Sequence, residues 1–181
     1  MKIIGAIDIG SNAVRIICAH LTPDKIIELV ASVRAPLRLG LDVFKFGYLQ
    51  ESTICNYVEL IEIFQKTLSQ NKCEEIQAFG TSAFREADNA DELISKIERI
   101  TRIQVEAISG GKGAELLHKT VNQVDALQSG SFLMADLGGG SVEITLVKNG
   151  EIQFAESFRM ETVRLLQMFP HTPQREKEVR T

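Results

Sequence analysis

The stretch ADLGGGSVEI, Ala135 to Ile144, sets one acid beside three consecutive glycines inside what otherwise reads as a buried strand. Glycine gives up the side chain that a strand packs, so a run of it marks a place where the backbone turns sharply or is approached closely. A second stretch, AIDIGSNAVRI, Ala6 to Ile16, repeats the pattern at a constant offset of 128 residues. Asp8 falls on Asp136, Ile9 on Leu137, Gly10 on Gly138, Val14 on Val142 and Ile16 on Ile144. One structural unit has been used twice.

Around the first copy, Lys2 to Ile9, Ala13 to His20 and Ile26 to Val33 are short runs rich in Ile and Val. Turn signals at Gly10-Ser11-Asn12 and Pro23-Asp24 separate them, which predicts a three-stranded meander. From Ser52 to Leu68, apolar residues recur at Ile54, Tyr57, Val58, Ile61, Phe64 and Leu68, one face at helical spacing. EIQAFGTS then reads as a short strand with a sharp end. A second helix is expected from Asn89, with Asn89 capping and Glu92 reaching back, and its apolar face is Leu93, Ile94, Ile97 and Ile100. QVEAIS reads as a further strand. After Gly110-Gly111 a third helix is expected to carry Leu116, Leu117, Val121, Val124 and Leu127. A meander followed by alternating strands and helices describes an α/β protein whose mixed sheet is covered by helices.

At Ser131 the same order of elements restarts. FLMADLG, SVEITLVK and EIQFAESF form a second meander, whose second turn, Asn149-Gly150, is the strongest short hairpin signal in the chain. A helix from about Glu161 to Phe169 is expected next, followed by a polar tail. The repeat divides the chain into a first lobe, residues 1–128, and the start of a second, residues 129–181, which on this reading is truncated.

Composition narrows the partners. The chain has 181 residues, 44% hydrophobic and 24% charged, with a formal net charge of −4. Phosphate-backbone binding relies on clustered Lys and Arg, so this balance gives no reason to expect a nucleic-acid surface. No run approaches the ~20 apolar residues that cross a bilayer. Asp8 interrupts the apolar start too early for a signal peptide. Cys18, Cys55 and Cys73 are odd in number, without metal-ligand spacing, and read as reduced thiols of a cytoplasmic protein. His20, His118 and His171 lie far apart in sequence and read as core or surface residues.

A Gly-rich turn between two strands lets several backbone N–H groups converge on an anion. Asp8 and Asp136, each just before such a turn, would repel a bare phosphate, yet they suit Mg²⁺, which takes carboxylates, water and phosphate oxygens. The plainer alternative is a tight hairpin with an Asp that caps it. Two such turns in register, each after an apolar strand and each with an acid, favour a phosphate clamp.

Four motifs in order, AIDIGSNAVRI, FGTSAFREADN, AISGGKGAELLHKTV and ADLGGGSVEI, resemble the exopolyphosphatase and guanosine-pentaphosphate phosphohydrolase family, from about Ile3 to Leu165. That family belongs with actin, the sugar kinases and the heat-shock ATPases. The resemblance implies a duplicated actin-like (ribonuclease H-like) fold with an interdomain cleft. It also implies Mg²⁺ and hydrolysis of a terminal phosphoanhydride in polyphosphate or guanosine pentaphosphate, and it makes a homodimer plausible. By matching motif, Ser11, Asn12 and Ala13 would lie on a first phosphate loop and Gly138, Gly139, Gly140 and Ser141 on a second. Asp136 and Glu143 look like the family's metal or water-positioning acids, and Arg85 like its phosphate-binding arginine. Chemistry supports these roles independently. Arg85 offers a planar fork to phosphate oxygens, its alternative being a surface ion pair with Glu86 or Glu92. Glu143, two residues past Ser141, shares its side of an extended strand, its alternative being an exposed strand carboxylate.

Two departures stand out. Where the family carries the glutamate that resembles a general base, this chain has Gly113, preceded by Lys112. Glu115, two positions along a helix, is rotated by roughly 200° and is not expected to substitute. A binder without turnover, a divergent variant of an active enzyme, and an enzyme that relies on Glu143 are all compatible with this. An ATP-using kinase of the same superfamily is a further reading, and the scarcity of basic residues near the first loop, Arg15 excepted, counts against it. The second departure is Glu161, where the family more often has Gly.

Overall fold

A computed structural model describes residues 2–22, 27–121, 123–124, 128–138 and 140–159. The elements are β1 (Lys2–Ile9), β2 (Val14–Leu21), β3 (Ile27–Ala35), α1 (Leu39–Phe46), α2 (Glu51–Gln70), β4 (Glu75–Gly80), α3 (Ser82–Glu86), α4 (Ala90–Thr101), β5 (Val105–Ala107), α5 (Gly110–Val121), β6 (Ser131–Leu137), β7 (Val142–Lys148) and β8 (Glu151–Phe158). Five strands form one sheet in the order β3-β2-β1-β4-β5, and three form another in the order β6-β7-β8. β2 runs antiparallel to β1 and β3, while β4 is parallel to β1 and β5. This is the mixed, actin-like arrangement that the repeat and the motifs imply.

Alternation along the strands sends Ile7 and Ile9 of β1, Val14, Ile16 and Cys18 of β2 and Ala78 of β4 to one face of the larger sheet, where they are buried. The stripe on α2, Ile54, Tyr57, Val58, Ile61, Phe64 and Leu68, covers that face, joined by Leu93 and Ile97 of α4. Asp8 and Arg15 alternate to the opposite face. The smaller sheet is clothed more thinly: Leu133 and Leu137 are 72% and 68% exposed.

The duplication extends to hydrogen-bond register. Asp8 stands opposite Arg15, and their counterparts 128 residues on, Asp136 and Glu143, stand opposite each other. The Gly10 N–H donates to the Ala13 carbonyl at 3.0 Å, and the Gly138 N–H donates to the Ser141 carbonyl at 3.3 Å. Even the irregularity in the second strand recurs, between Cys18 and Ala19 and again between Leu146 and Val147. The Asn149-Gly150 turn forms as expected, with φ of 51° and 78°.

Several local expectations are corrected. α1 and α3 are additional helices. Asn89 makes no cap bond with its side chain. Its Oδ1 accepts from the Leu49 N–H at 2.7 Å and its Nδ2 donates to the Leu49 carbonyl at 3.0 Å, so two long-range bonds to a buried connector displace a local cap. α5 begins at Gly110, capped by the Ser109 hydroxyl, which accepts from the Lys112 N–H at 3.1 Å, and Val124 lies beyond its end. The segment expected as a helix from Glu161, the Glu161 position itself, Leu127, Gly139 and His171 lie outside the described residues.

Tyr57 ties the connector after β3 to α2. Its hydroxyl donates to the Leu37 carbonyl at 2.8 Å and accepts from the Leu39 N–H at 3.0 Å, with the ring fully buried. Tyr57→Phe keeps the ring and strands both backbone groups, so chemical denaturation should report a loss of about 1–3 kcal/mol. An unchanged unfolding midpoint would show that the pair is satisfied some other way.

Candidate functional site

The two Gly-rich turns face one cleft of about 690 Å³, which receives the open face of the larger sheet on one side and the smaller sheet on the other. Cross-strand partners project to the same side of a sheet. Asp8, Arg15 and Arg34 are successive partners across β1, β2 and β3, and form one row. Asp136, Glu143 and Ser157 form the equivalent row across β6, β7 and β8. All six line the cleft. The first row carries one acid and two arginines, the second two acids and a hydroxyl. Duplication has thus produced walls of matching geometry and opposite electrostatic bias.

Within the second row, Glu143 is held at one oxygen. Its Oε1 accepts from the Ser141 hydroxyl at 2.5 Å and from the Ser157 hydroxyl at 2.9 Å. Ser157 escapes a reading by motif because it is placed opposite Glu143 only by the register of β7 on β8, and Arg34 is placed beside Arg15 in the same way.

Asp8 is exposed by surface area, yet it stands in the cleft with protein atoms around it that displace part of its water. That partial desolvation is the largest influence on its carboxyl and pushes its pKa up. The Asp136 charge pushes the same way, and the Arg15 guanidinium opposes both. Asp8 and Asp136 therefore sense each other as like charges across the cleft.

The turns themselves are in contact. The Ser11 hydroxyl is 2.8 Å from the Ser82 hydroxyl and accepts from the Ala83 N–H at 3.2 Å, while the Ser11 carbonyl accepts from the Gly40 N–H at 2.9 Å. Ser11 is 2% exposed, so its side chain serves α3, while Asn12 and Ala13 line the cleft alongside it. On the second turn Gly138 and Ser141 line the cleft, whereas the Gly140 backbone lies against the first turn. A side chain at Gly140 would collide with the Ser82 and Ser11 hydroxyls and with the Phe44 ring of α1. The absent Cβ here admits protein rather than a ligand.

Arg85, on α3, also lines the cleft, and its Nη1 donates to the Ile108 carbonyl at 3.0 Å. Glu92 pairs instead with Lys96 at 2.9 Å. The first turn of α5 completes the wall with Gly110, Gly111 and Gly113. An added Cβ at Gly113 would meet nothing within 4 Å, so a side chain there has open space. Glu115 is bound to Lys119 at 2.9 Å and Lys112 at 3.1 Å, and hydrogen bonding to Lys119 first, then Lys112, lowers its pKa. It is an exposed ion-pair partner and not a poised base.

Among the described residues no group of three or more His, Cys, Asp or Glu side chains converges as a metal cage. Four carboxylates line the cleft, Asp8, Asp136, Glu143 and Glu156, and the first three stand beside the two Gly-rich turns. Mg²⁺ is usually held by one or two carboxylates, with water and substrate phosphates completing its octahedron, and this donor set fits that mode.

Comparison with known proteins agrees with the geometry. The Ppx/GppA phosphatase family matches residues 17–181. Exopolyphosphatase 1 of Mycobacterium tuberculosis is 28% identical over 168 residues, covering 90% of this chain and 47% of the relative. The guanosine-5'-triphosphate,3'-diphosphate pyrophosphatase of Aeromonas hydrophila is 27% identical over 161 residues, covering 89% of this chain and 32% of the relative. The chain thus spans about half, or less, of the length of these curated relatives. The crystal structure of an exopolyphosphatase from Cytophaga hutchinsonii superimposes with a TM-score of 0.89 at 29% identity, covering 98% of this chain and 57% of that one. With the repeated turns, the sheet order and the cleft all in agreement with this match, the chain belongs to the Ppx/GppA phosphatase family, whose named members are hydrolases of phosphoanhydrides.

Proposed function

We propose that the cleft binds the terminal phosphates of polyphosphate or guanosine pentaphosphate and cleaves the outermost phosphoanhydride with Mg²⁺, with turnover weakened in this chain by Gly113. The observation that carries this reading is the pair of equivalent rows, Asp8-Arg15-Arg34 and Asp136-Glu143-Ser157, lining one cleft beside both Gly-rich turns. Residues 1–128 then act as one lobe and residues from 129 onward as the start of the other.

Phosphoryl transfer depends on neutralising equatorial oxygens and aligning a water with the leaving oxygen. In this reading the backbone of Ser11, Asn12 and Ala13 and that of Gly138, Gly139, Gly140 and Ser141 supply amide donors from two sides. Arg85 takes the terminal phosphate with its guanidinium fork, since its Nη1 is fixed by the Ile108 carbonyl and the rest of the group is oriented by that bond. Asp8, Asp136 and Glu143 are the residues that would hold Mg²⁺, which when bound supplies charge neutralisation at the phosphate oxygens. Ser141 and Ser157 both bond Oε1 of Glu143, and we assign Oε2 to orienting the attacking water.

The second reading, a binder of the same anions without turnover, is favoured by Gly113. Phosphate release from long-chain polyphosphate and from guanosine pentaphosphate, with Mg²⁺, separates the two. Weak or absent release is expected from the chain itself, and a gain of about 10²–10⁴-fold from Gly113→Glu, the usual contribution of a positioned base. Equal activity of both proteins would place the base elsewhere, and failure of both to bind the anions would remove the clamp.

Ser157 offers a separate check. Ser157→Ala in the Gly113→Glu protein should lower kcat by about 10–100-fold with little change in KM, the usual scale for loss of a partner that orients a ligand residue. Ser157→Thr should recover most of it. Loss of KM alone would point to substrate contact and not to orientation of Glu143.

For Asp8 the sign follows from its raised pKa. Below the ordinary aspartate value of 3.8 the carboxyl is neutral in folded and unfolded chains alike. Above it the unfolded chain ionises first, so the fold is penalised increasingly until its own, higher pKa is passed. Asp8→Asn removes that penalty. In metal-free buffer at pH 7 the variant should have a higher Tm than the parent, a difference that disappears in strong acid. Mg²⁺ should raise the Tm of the parent more than that of the variant, which keeps only Asp136 and Glu143. A lower Tm for the variant at pH 7 would mean that attraction to Arg15 outweighs burial.

A further inference from the structure

The larger sheet holds a pair of thiols that the reaction does not use. Cys18 on β2 stands directly opposite Gly5 on β1, so its side chain projects from the helix-covered face that a Gly5 side chain would occupy. Facing antiparallel residues have Cα atoms about 4.5–5.5 Å apart. From the other side, the Cys73 sulfur, in the turn between α2 and β4, lies 3.5 Å from the position of a Cβ at Gly5. The two thiols therefore both border Gly5, the one residue in that row without a side chain, where Leu68 Cδ2 fills the space nearest the missing Cβ. They also interact: burial pushes the Cys73 thiol up to about 11, and its hydrogen bond to Cys18 and the Cys18 charge act in the same direction. Cys73 is partly exposed and Cys18 fully buried, and both are free thiols. The remaining cysteine, Cys55, lies exposed on α2 beside Glu51.

We propose that Cys73 and Cys18 form an oxidation site that takes hydrogen peroxide and closes to an intramolecular disulfide across Gly5. The Cys73 sulfur, as thiolate, attacks one peroxide oxygen and the O–O bond breaks, leaving a sulfenic acid on Cys73 and a hydroxide that is protonated to water. The Cys18 sulfur then attacks the Cys73 sulfur, the S–S bond forms, the S–O bond breaks, and the leaving hydroxide takes the Cys18 proton as a second water. Two thiols are oxidised and one peroxide is reduced.

Exposure assigns the order. The peroxide reaches Cys73 first, and buried Cys18 is already in place to resolve the sulfenic acid before a second oxidant can carry it to sulfinic acid. Because little Cys73 is thiolate near neutral pH, closure is slow and needs peroxide in excess. The bridge encloses β3, α1 and α2 in a covalent loop and ties β2 to the start of β4. Constraining that loop in the unfolded chain stabilises the fold. Gly5 and the thiols are on the face opposite Asp8, so the cleft is left intact.

The test uses the chain carrying Cys55→Ser, to remove bridging between molecules. It is treated folded with hydrogen peroxide and mapped by mass spectrometry of unreduced peptides. A Cys18 peptide joined to the Cys73 peptide, with a Tm above that of the reduced protein and reversed by dithiothreitol, is expected. Adding Cys18→Ser should abolish the Tm rise and send Cys73 on to sulfinic acid, and Cys73→Ser should leave Cys18 unoxidised. Sulfinic acid on Cys73 with Cys18 still a thiol, bridging between chains, or no oxidation of either thiol would each overturn the proposal. None of these outcomes depends on phosphatase activity, so the result stands apart from the reading of the cleft.

Discussion

The arrangement hangs on one close approach, that of the Gly140 backbone to the Ser11 and Ser82 hydroxyls and the Phe44 ring. No side chain fits between them, and any that intruded would part the second turn from the first. Ser11 is fixed from three directions, by Ser82, by the Ala83 N–H and by the Gly40 N–H, so the surface that Gly140 meets is already rigid. α1 takes part twice, through Gly40 and through Phe44, and is itself anchored by Tyr57 at its N-terminus. A chain of short polar contacts therefore runs from the core of the larger sheet to Ser11 and Ser82, against which the Gly140 backbone lies. The cleft exists because its two hairpins touch at their backs.

Once the turns are set in this way, the repeated register does the rest. A shift of one residue in either meander would move its row to the other face of the sheet. The identical position of the irregularity in β2 and β7 shows that the two copies share twist as well as pairing. Symmetric backbones would give symmetric chemistry if the side chains were also repeated. They are not: Arg15 is replaced by Glu143, and Arg34 by Ser157, in the corresponding places. The first wall is suited to anions and the second to cations or a polarised water, a division that a single copy could not provide.

Much of this was legible in the sequence, because strand alternation, the helical stripe of α2 and the 128-residue offset are periodic signals that survive without coordinates. What escaped has a common cause. α1 is short and carries Gly40 within an apolar run, so its period is ambiguous. Asn89 has the form of a cap, yet Leu49, forty positions away, offers its side chain two bonds where the local backbone offers one. Ser157 and Arg34 have no motif of their own and gain meaning only from the strand beside them. At Gly140 the missing side chain is legible in the sequence, but that Ser11, Ser82 and Phe44 fill its place is not.

Gly113 shows the same limit from the other direction, and here the surroundings are informative. A lost side chain often leaves a site that has collapsed or been refilled. In this chain the position still borders the cleft, a Cβ would meet no atom within 4 Å, and the neighbouring Lys112 is turned to Glu115 and not into the gap. Ser109 still caps the helix that carries it. The helix, its cap and its approach to the cleft are thus kept without any side chain at residue 113, whose backbone N–H donates to the Ser109 carbonyl at 3.0 Å. A glycine at this point costs a helix about 0.5–1 kcal/mol relative to alanine, and it places no further negative charge in a cleft where the Asp136 charge already raises the pKa of Asp8. Under the proposed function, proton transfer and anion binding therefore rest on separable parts of the structure, and a chain can give up the first while the contacts described around the cleft stay in place.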